Sequence, residues 1–255
     1  MSVYVIAEAG INHNGSMAVA RMLANAAKEA GANAVKYQTY VTDDICRKDS
    51  PEYAWLKHCE LSYDQFVQLK KHCDSIGIDF ISTPDTVKDA EFLDTLGMRY
   101  MKIGSANANG TFVRSLEHIK TPLILSIGMN GWITMADNVK VIMHCVSAYP
   151  CPIEQANMAL VGPHYDVICD TLGFSDHTVG SLCAVMAVAR GAKFIEKHFT
   201  LDRKAEGPDH HMSMDPDELQ GYIHNIRQAE LALGDGVRRV MPCEQKTIEQ
   251  LKARK

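Results

Sequence analysis

The chain has 255 residues, 46% hydrophobic and 22% charged, with a formal net charge of −5. That length suits a single α/β barrel, the acidic balance gives no basic field for nucleic acid, and no apolar run is long enough to span a bilayer. The N-terminus enters a strand without a basic leader and the eight cysteines form no C-x-x-C pair, so a reducing cytoplasm is the expected compartment.

Val3-Tyr-Val-Ile-Ala7 is a short, continuous apolar run and predicts a buried first strand ending at Glu8. An acid just past a central strand is costly unless it is used or paired. Ser16 caps a helix predicted over residues 17–30, stopped by Gly31. The second strand, residues 34–38, carries Lys36 and Gln38 on alternate positions, hence on one face. A lysine inside a barrel usually faces an anion or a carbonyl. Residues 39–61 read as a loop over one end, followed by a helix over 63–76. Strands follow at 79–83, 100–103, 123–126 and 141–145, with helices over 86–96 and 112–118. Residues 167–174 contain the seventh strand, 182–190 a helix, and 194–198 the eighth strand. Asp215-Pro216 opens an amphipathic helix reaching Leu233, apolar at Leu219, Tyr222, Ile223 and Ile226. Cys145, Cys169 and Cys183 sit in apolar stretches and read as small core residues.

Eight such units predict an α/β fold, a single (β/α)8 TIM barrel over residues 1–240 with a charged tail at 241–255. Little room separates Met129 from the sixth strand, so the crossover between strands 5 and 6 is expected to be shortened. Polar side chains cluster just after strands: Glu8, Lys36, Gln38, Thr83, Lys102, Ser105, Ser126, Ser147, His177 and His198. This is the face where barrels of this type carry active sites. His177 and His198 leave successive strands at matching places, which suits a divalent metal better than two unrelated core histidines. Two lysines and several hydroxyls at the same mouth suit a small anion bearing phosphate or carboxylate. A carbonyl polarised by a metal beside such an anion suggests carbon–carbon bond formation.

Nine stretches in order resemble the sialic acid synthase family. They are Ile6-Ala-Glu-Ala-Gly-Ile-Asn-His-Asn-Gly15, Val35-Lys-Tyr-Gln38, Phe80-Ile-Ser-Thr-Pro84, Lys102-Ile-Gly-Ser105, Leu125-Ser-Ile-Gly-Met129, His144-Cys-Val-Ser-Ala-Tyr-Pro150, Ser175-Asp-His-Thr178, Glu196-Lys-His-Phe199 and Gly207-Pro-Asp-His210. The resemblance implies a barrel that condenses phosphoenolpyruvate with N-acetylmannosamine or a related N-acyl sugar and releases phosphate. It implies Mn²⁺, or another divalent cation such as Mg²⁺ or Co²⁺, on His177 and His198. Lys36, Thr83, Lys102, Ser105, Ser126, Ser147 and Ser175 match phosphoenolpyruvate contacts, and Gln38, Tyr149 and Asp209 match sugar contacts. Glu8 matches the acid beside the reacting aldehyde and, with Lys36 and Lys102, makes up the expected catalytic set. Structural readings stand beside these: Tyr149 as a packed turn residue, Asp209 as a loop turn, Ser126 and Ser147 as local backbone partners. His13 and the pair His210-His211 are weaker metal-ligand candidates.

Three departures matter. Many members carry an acid where this chain has Asn107, and asparagine cannot accept a proton. Ser126-Ile-Gly-Met129 replaces Ser-Thr-Gly-Met. The family's C-terminal antifreeze-like domain has no counterpart before Lys255, so the expected partner is a second copy or a separate antifreeze-like subunit. The alternatives are a legionaminate- or pseudaminate-type synthase, a non-catalytic ligand-binding barrel, and a metal-dependent aldolase that uses pyruvate.

Overall fold

Eight parallel strands curl into a nearly closed barrel in the computed structural model, which describes residues 2–129, 136–162, 169 and 171–254. The strands are β1 (Tyr4–Gly10), β2 (Ala34–Thr39), β3 (Asp79–Pro84), β4 (Met101–Ile103), β5 (Leu123–Ile127), β6 (Val139–His144), β7 (Leu172–Asp176) and β8 (Phe194–His198). Their order is β3-β2-β1-β8-β7-β6-β5-β4, and every hydrogen-bonded neighbour is parallel. Around them lie α1 (Met17–Glu29), α2 (Thr42–Ile45), α3 (Tyr53–Cys59), α4 (Tyr63–Ile76), α5 (Val87–Asp94), α6 (Gly110–Ser115), α7 (Leu182–Ala189), α8 (Pro216–Leu233) and α9 (Gln245–Lys252). Among the described residues no helix is long and apolar enough to cross a membrane.

Local chemistry sets the helix starts. Ser16 Oγ accepts from the Val19 amide, and Ser62 with Gln65, Thr86 with Asp89 and Asp215 with Glu218 form reciprocal capping boxes. Pro216 opens α8, whose Leu219, Tyr222, Ile223 and Ile226 are buried as the periodicity predicts. Asn109 caps α6 through the Phe112 amide, so that helix begins and ends earlier than its apolar residues suggest. The stretch read as a loop after β2 instead holds α2 and α3. The seventh strand starts at Leu172, and the sixth begins at Val139, two residues before its apolar run. The predicted short crossover falls mainly on residues 130–135, outside the described residues; β5 ends at Ile127 and β6 begins at Val139.

The barrel has two apolar surfaces with different tasks. Outward residues such as Val5, Ala7, Val35, Tyr37, Ile103 and Leu125 pack in one core with the helices. Inward residues alternate with them. Ile6, Ala34, Ile81, Ile124, Val141, Met143 and Phe194 form a separate buried cluster inside the lumen, flanked by Tyr4 and Tyr100. One step of the pleat further toward the strand C-termini, the same inward register presents Glu8, Lys36, Thr83, Lys102, Ser126, Cys145, Ser175 and Glu196. An apolar plug thus fills one end of the barrel and supports a charged layer at the other.

Candidate active site

The charged layer floors a cavity of about 340 Å³. Strand register decides who meets whom. Glu8 lies opposite Lys36 on β2 and opposite His198 on β8, and Ser175 lies opposite Glu196. Gln38 lies opposite Thr83. The Lys36 ammonium stands 3.3 Å from Glu8 Oε1 and 3.4 Å from Glu196 Oε2, and it donates to Thr83 Oγ1 at 3.2 Å. Lys102 reaches across the lumen to Glu196 Oε1 at 3.3 Å. Both lysines and both glutamates are buried.

Burial pushes the Glu8 carboxyl up to about 7, against the pull of the Lys36 ammonium and with help from the Glu196 charge. Burial acts on Glu196 in the same direction, but Lys102 and Lys36 outweigh it and hold Glu196 well below the ordinary carboxylate range. The two lysines diverge for a geometric reason. Burial lowers both, yet Lys36 has two carboxylates beside it and ends above its ordinary value, whereas Lys102 has one and ends below. Burial also raises Asp209. The floor therefore holds two ammonium groups against one firmly ionised carboxylate.

His177 and His198 come together with ring centroids 5.7 Å apart, and the Tyr149 ring lies 4.2 Å from His177 and 5.6 Å from His198. Burial, more than any other cause, holds both imidazoles below their ordinary value and so neutral, His198 far below. His177 Nδ1 lies 2.6 Å from the Val146 carbonyl, which can only accept, so the ring proton is there and Nε2 keeps its lone pair. Ser175 Oγ is 3.4 Å from that Nε2, but its hydroxyl donates to Glu196 at 2.9 Å. His198 Nδ1 is buried without a hydrogen-bond partner among the described residues. This donor set fits a borderline divalent cation that takes its remaining ligands from water or substrate. Among the described residues no three His, Cys, Asp or Glu side chains are grouped to hold a metal by themselves.

Every predicted site residue except Ser147 lines this cavity, and Ser147 stands behind Ser105 with their hydroxyls 2.7 Å apart. Ser126 Oγ is buried and unpaired among the described residues, an unmet hydroxyl on the cavity wall. Tyr149 is a cavity residue, 46% exposed, not merely a packed turn. The weaker histidine candidates lie elsewhere. His13 Nδ1 accepts from the Gly15 amide, and His210 pairs with Thr200 Oγ1 at 2.7 Å.

Nine motifs in order on a parallel barrel, converging on one cavity, call for a relative, and a family model described as "NeuB family" matches residues 23–238. The chain belongs to the NeuB family. Relatives include the N,N'-diacetyllegionaminic acid synthase of Legionella pneumophila, 38% identical over 92% of this chain and 74% of that protein. The N-acetylneuraminate-9-phosphate synthase of Mus musculus is 31% identical over 97% of this chain and 76% of that one. Among solved structures, an N-acetylneuraminic acid synthetase from Leptospira borgpetersenii, in complex with citrate, superposes with a TM-score of 0.87 at 29% identity, covering 99% of this chain and 92% of that one.

Among the lining residues of this NeuB-family cavity that escaped the sequence reading as site groups, two, Glu196 and Cys145, carry ionisable side chains. Glu196 lies two positions before His198 on the same strand, so the alternation that paired Lys36 with Gln38 also marks it. Cys145, read as core filler, lines the cavity by the same rule, and burial keeps its thiol above the ordinary range, hence protonated. All eight cysteines are free.

Proposed function

We propose that the chain is a nonulosonic acid synthase that joins phosphoenolpyruvate to the open-chain aldehyde of an N-acyl sugar and releases phosphate. The observation that carries this is the pair of buried ammonium groups, Lys36 and Lys102, sharing one floor with two neutral imidazoles. Buried lysines that outnumber their ionised partner are completed by a polyanion. Lys36, Lys102, Thr83, Ser126 and Ser175, with Ser105 backed by Ser147, hold the phosphate and carboxylate of phosphoenolpyruvate. Gln38, Tyr149 and Asp209 orient the sugar. His177 and His198 hold a divalent cation such as Mn²⁺, which when bound supplies Lewis-acid polarisation of the aldehyde.

Glu8 serves as the proton donor. Its carboxyl, raised to about 7, carries a proton in a useful fraction of molecules at neutral pH. A bond forms between C3 of phosphoenolpyruvate and the aldehyde carbon, and the aldehyde oxygen takes the Glu8 proton. Water then adds at C2 and the C2–O bond to phosphate breaks. One proton of that water returns to Glu8, and the other leaves on the departing phosphate as the C2 hydroxyl becomes the carbonyl of the 2-keto acid. The relatives named as synthases of sialic-type acids support this reading, and the eight free cysteines support a cytoplasmic setting.

The test is direct. Purified protein with Mn²⁺, phosphoenolpyruvate and N-acetylmannosamine or a diacylamino sugar should release phosphate and form a 2-keto acid in equal amounts, dependent on sugar. Consumption of pyruvate in place of phosphoenolpyruvate, or failure to bind phosphoenolpyruvate at all, would sink the reading.

A further inference from the structure

The hydrogen-bonded ladder between β7 and β8 stops one residue short of the two histidines. Its register pairs are Gly173 with Phe194, Phe174 with Ile195, Ser175 with Glu196 and Asp176 with Lys197. His177 and His198 follow directly, so no β7–β8 backbone pair sets their distance. On its other side His198 is still in register with Glu8 of β1. The exit of β7 is therefore the side that needs a tie.

A side chain spans that gap. Ser175 and Glu196 face the cavity, so by the alternation of a strand Asp176 and Lys197 point outward, toward α8. Lys197, Asp176, Thr178 and Tyr222 are buried, none more than 3% exposed. The Lys197 ammonium donates to the Thr178 carbonyl, stands 3.6 Å from Asp176 Oδ2, and lies 5.6 Å from the centroid of the Tyr222 ring. Asp176 Oδ1 accepts from the Thr178 amide at 2.8 Å and from its hydroxyl at 2.7 Å, while Oδ2 accepts from the Tyr222 hydroxyl at 2.9 Å. Thr178 is thereby held through its amide, its hydroxyl and its carbonyl. The His177 carbonyl just before it accepts from the Cys151 amide at 2.7 Å.

Counter-charge alone does not account for a lysine at this place. Asp176 already takes three hydrogen bonds from neutral donors, which keep its carboxylate ionised without the ammonium. A buried ion pair is also weak as a source of stability compared with apolar residues of the same size. What Lys197 adds is reach: a side chain of β8 holds a carbonyl of the β7 exit beyond the last ladder pair.

Resting on the reading that His177 and His198 hold the divalent cation, we propose that Lys197 is a positioning residue for that pair. Its bridge from β8 to the Thr178 carbonyl fixes the spacing of the two imidazoles, whose ring centroids lie 5.7 Å apart. Without the bridge, the turn after β7 keeps its own hydrogen bonds to Asp176 but is free to move away from β8 as a unit. Cation affinity then falls. The phosphoenolpyruvate groups sit on strands that remain paired and keep their affinity.

The whole protein is titrated with Mn²⁺ alone, free Mn²⁺ being read by electron paramagnetic resonance, and separately with phosphoenolpyruvate without metal, read by calorimetry. Lys197→Met keeps the alkyl stem and removes the charge. It should weaken Mn²⁺ binding about tenfold or more and leave phosphoenolpyruvate within about twofold of the parent protein. Lys197→Arg should recover most of the loss, because a hollow of about 180 Å³ lined by Lys197 has room for the longer group. If Lys197→Met does not fold, Tyr222→Phe takes its place. It removes the neutral donor from Asp176 Oδ2, leaves that oxygen to draw the ammonium off Thr178, and should also weaken Mn²⁺ binding. A folded Lys197→Met protein that melts earlier yet binds Mn²⁺ like the parent contains a merely structural lysine and overturns the positioning role alone. An equal loss for phosphoenolpyruvate, no recovery in Lys197→Arg, or unchanged Mn²⁺ binding in the substitute Tyr222→Phe does the same. A parent protein that binds no Mn²⁺, or whose binding survives His177→Ala, overturns the cation reading and the positioning role with it.

Discussion

Glu196 holds two lysines at once, Lys102 at 3.3 Å and Lys36 at 3.4 Å, so a change there is felt on both sides of the cavity. Glu196→Gln should lower unfolding free energy by about 3 kcal/mol, because it leaves a buried ammonium without its counter-charge. A denaturant midpoint equal to that of the parent protein would show that the pairing is energetically idle. Asp85, at the exit of β3, accepts from Asn107 Nδ2 at 3.0 Å, and burial, reinforced by Asp89, raises its carboxyl to about 6. The ordinary value is 3.8, so the fold favours the neutral acid. The stability this confers is full below about pH 4 and is lost as pH rises through about 6. Asp85→Asn should therefore stabilise the protein by about 2 kcal/mol above pH 7 and by little below pH 4. Melting curves at both pH values check it, and a gain confined to acid pH would contradict it. The same contact bears on the asparagine at 107, whose amide N–H donates to Asp85 where an ionised acid could not.

At the scale of elements, α3 shows how a short segment escapes periodicity. Its seven residues, Tyr53–Cys59, are too few for a helical pattern to rise above the surrounding polar chain, and only Cys59 among them is buried. What fixes α3 is the loop after β1. Gly15 has φ +72, and a Cβ added there would sit 2.2 Å from the carbonyl oxygen of His58, a backbone atom that cannot swing aside. Gly15→Ala should cost more than about 2 kcal/mol and lower the melting temperature by about 5 °C or more. A shift under a degree would mean that α3 slides freely. By contrast α8 was legible from end to end, because its cap, its N1 proline and its four-residue apolar stripe all act within one helix.

Across the whole molecule the barrel divides its interior into an apolar plug and a charged floor, and protein contacts hold three of the groups on that floor. Val146 fixes the His177 ring, and Lys36 and Lys102 are fixed by glutamates. Chelation with EDTA should therefore abolish phosphate release while leaving far-ultraviolet circular dichroism and the melting temperature within about 2 °C of the untreated protein, and Mn²⁺ should restore activity. Cooperative unfolding on chelation would show instead that the metal holds the fold together.

The chain by itself determined the strand succession, the helix caps, the two histidines and two lysines, and hence the family, because each depends on residues a few positions apart. It also carried, unread, the period-two signal that places Glu196 and Cys145 on the inner face. Only the tertiary structure decided that Glu196 bridges Lys36 and Lys102, which come from different strands, and that His177 is oriented by the Val146 carbonyl. It alone brought Lys197 on one strand to the Thr178 carbonyl beyond the end of another. Those meetings depend on barrel closure and strand register, and burial sets the protonation of the groups that meet. No local pattern of residues encodes either.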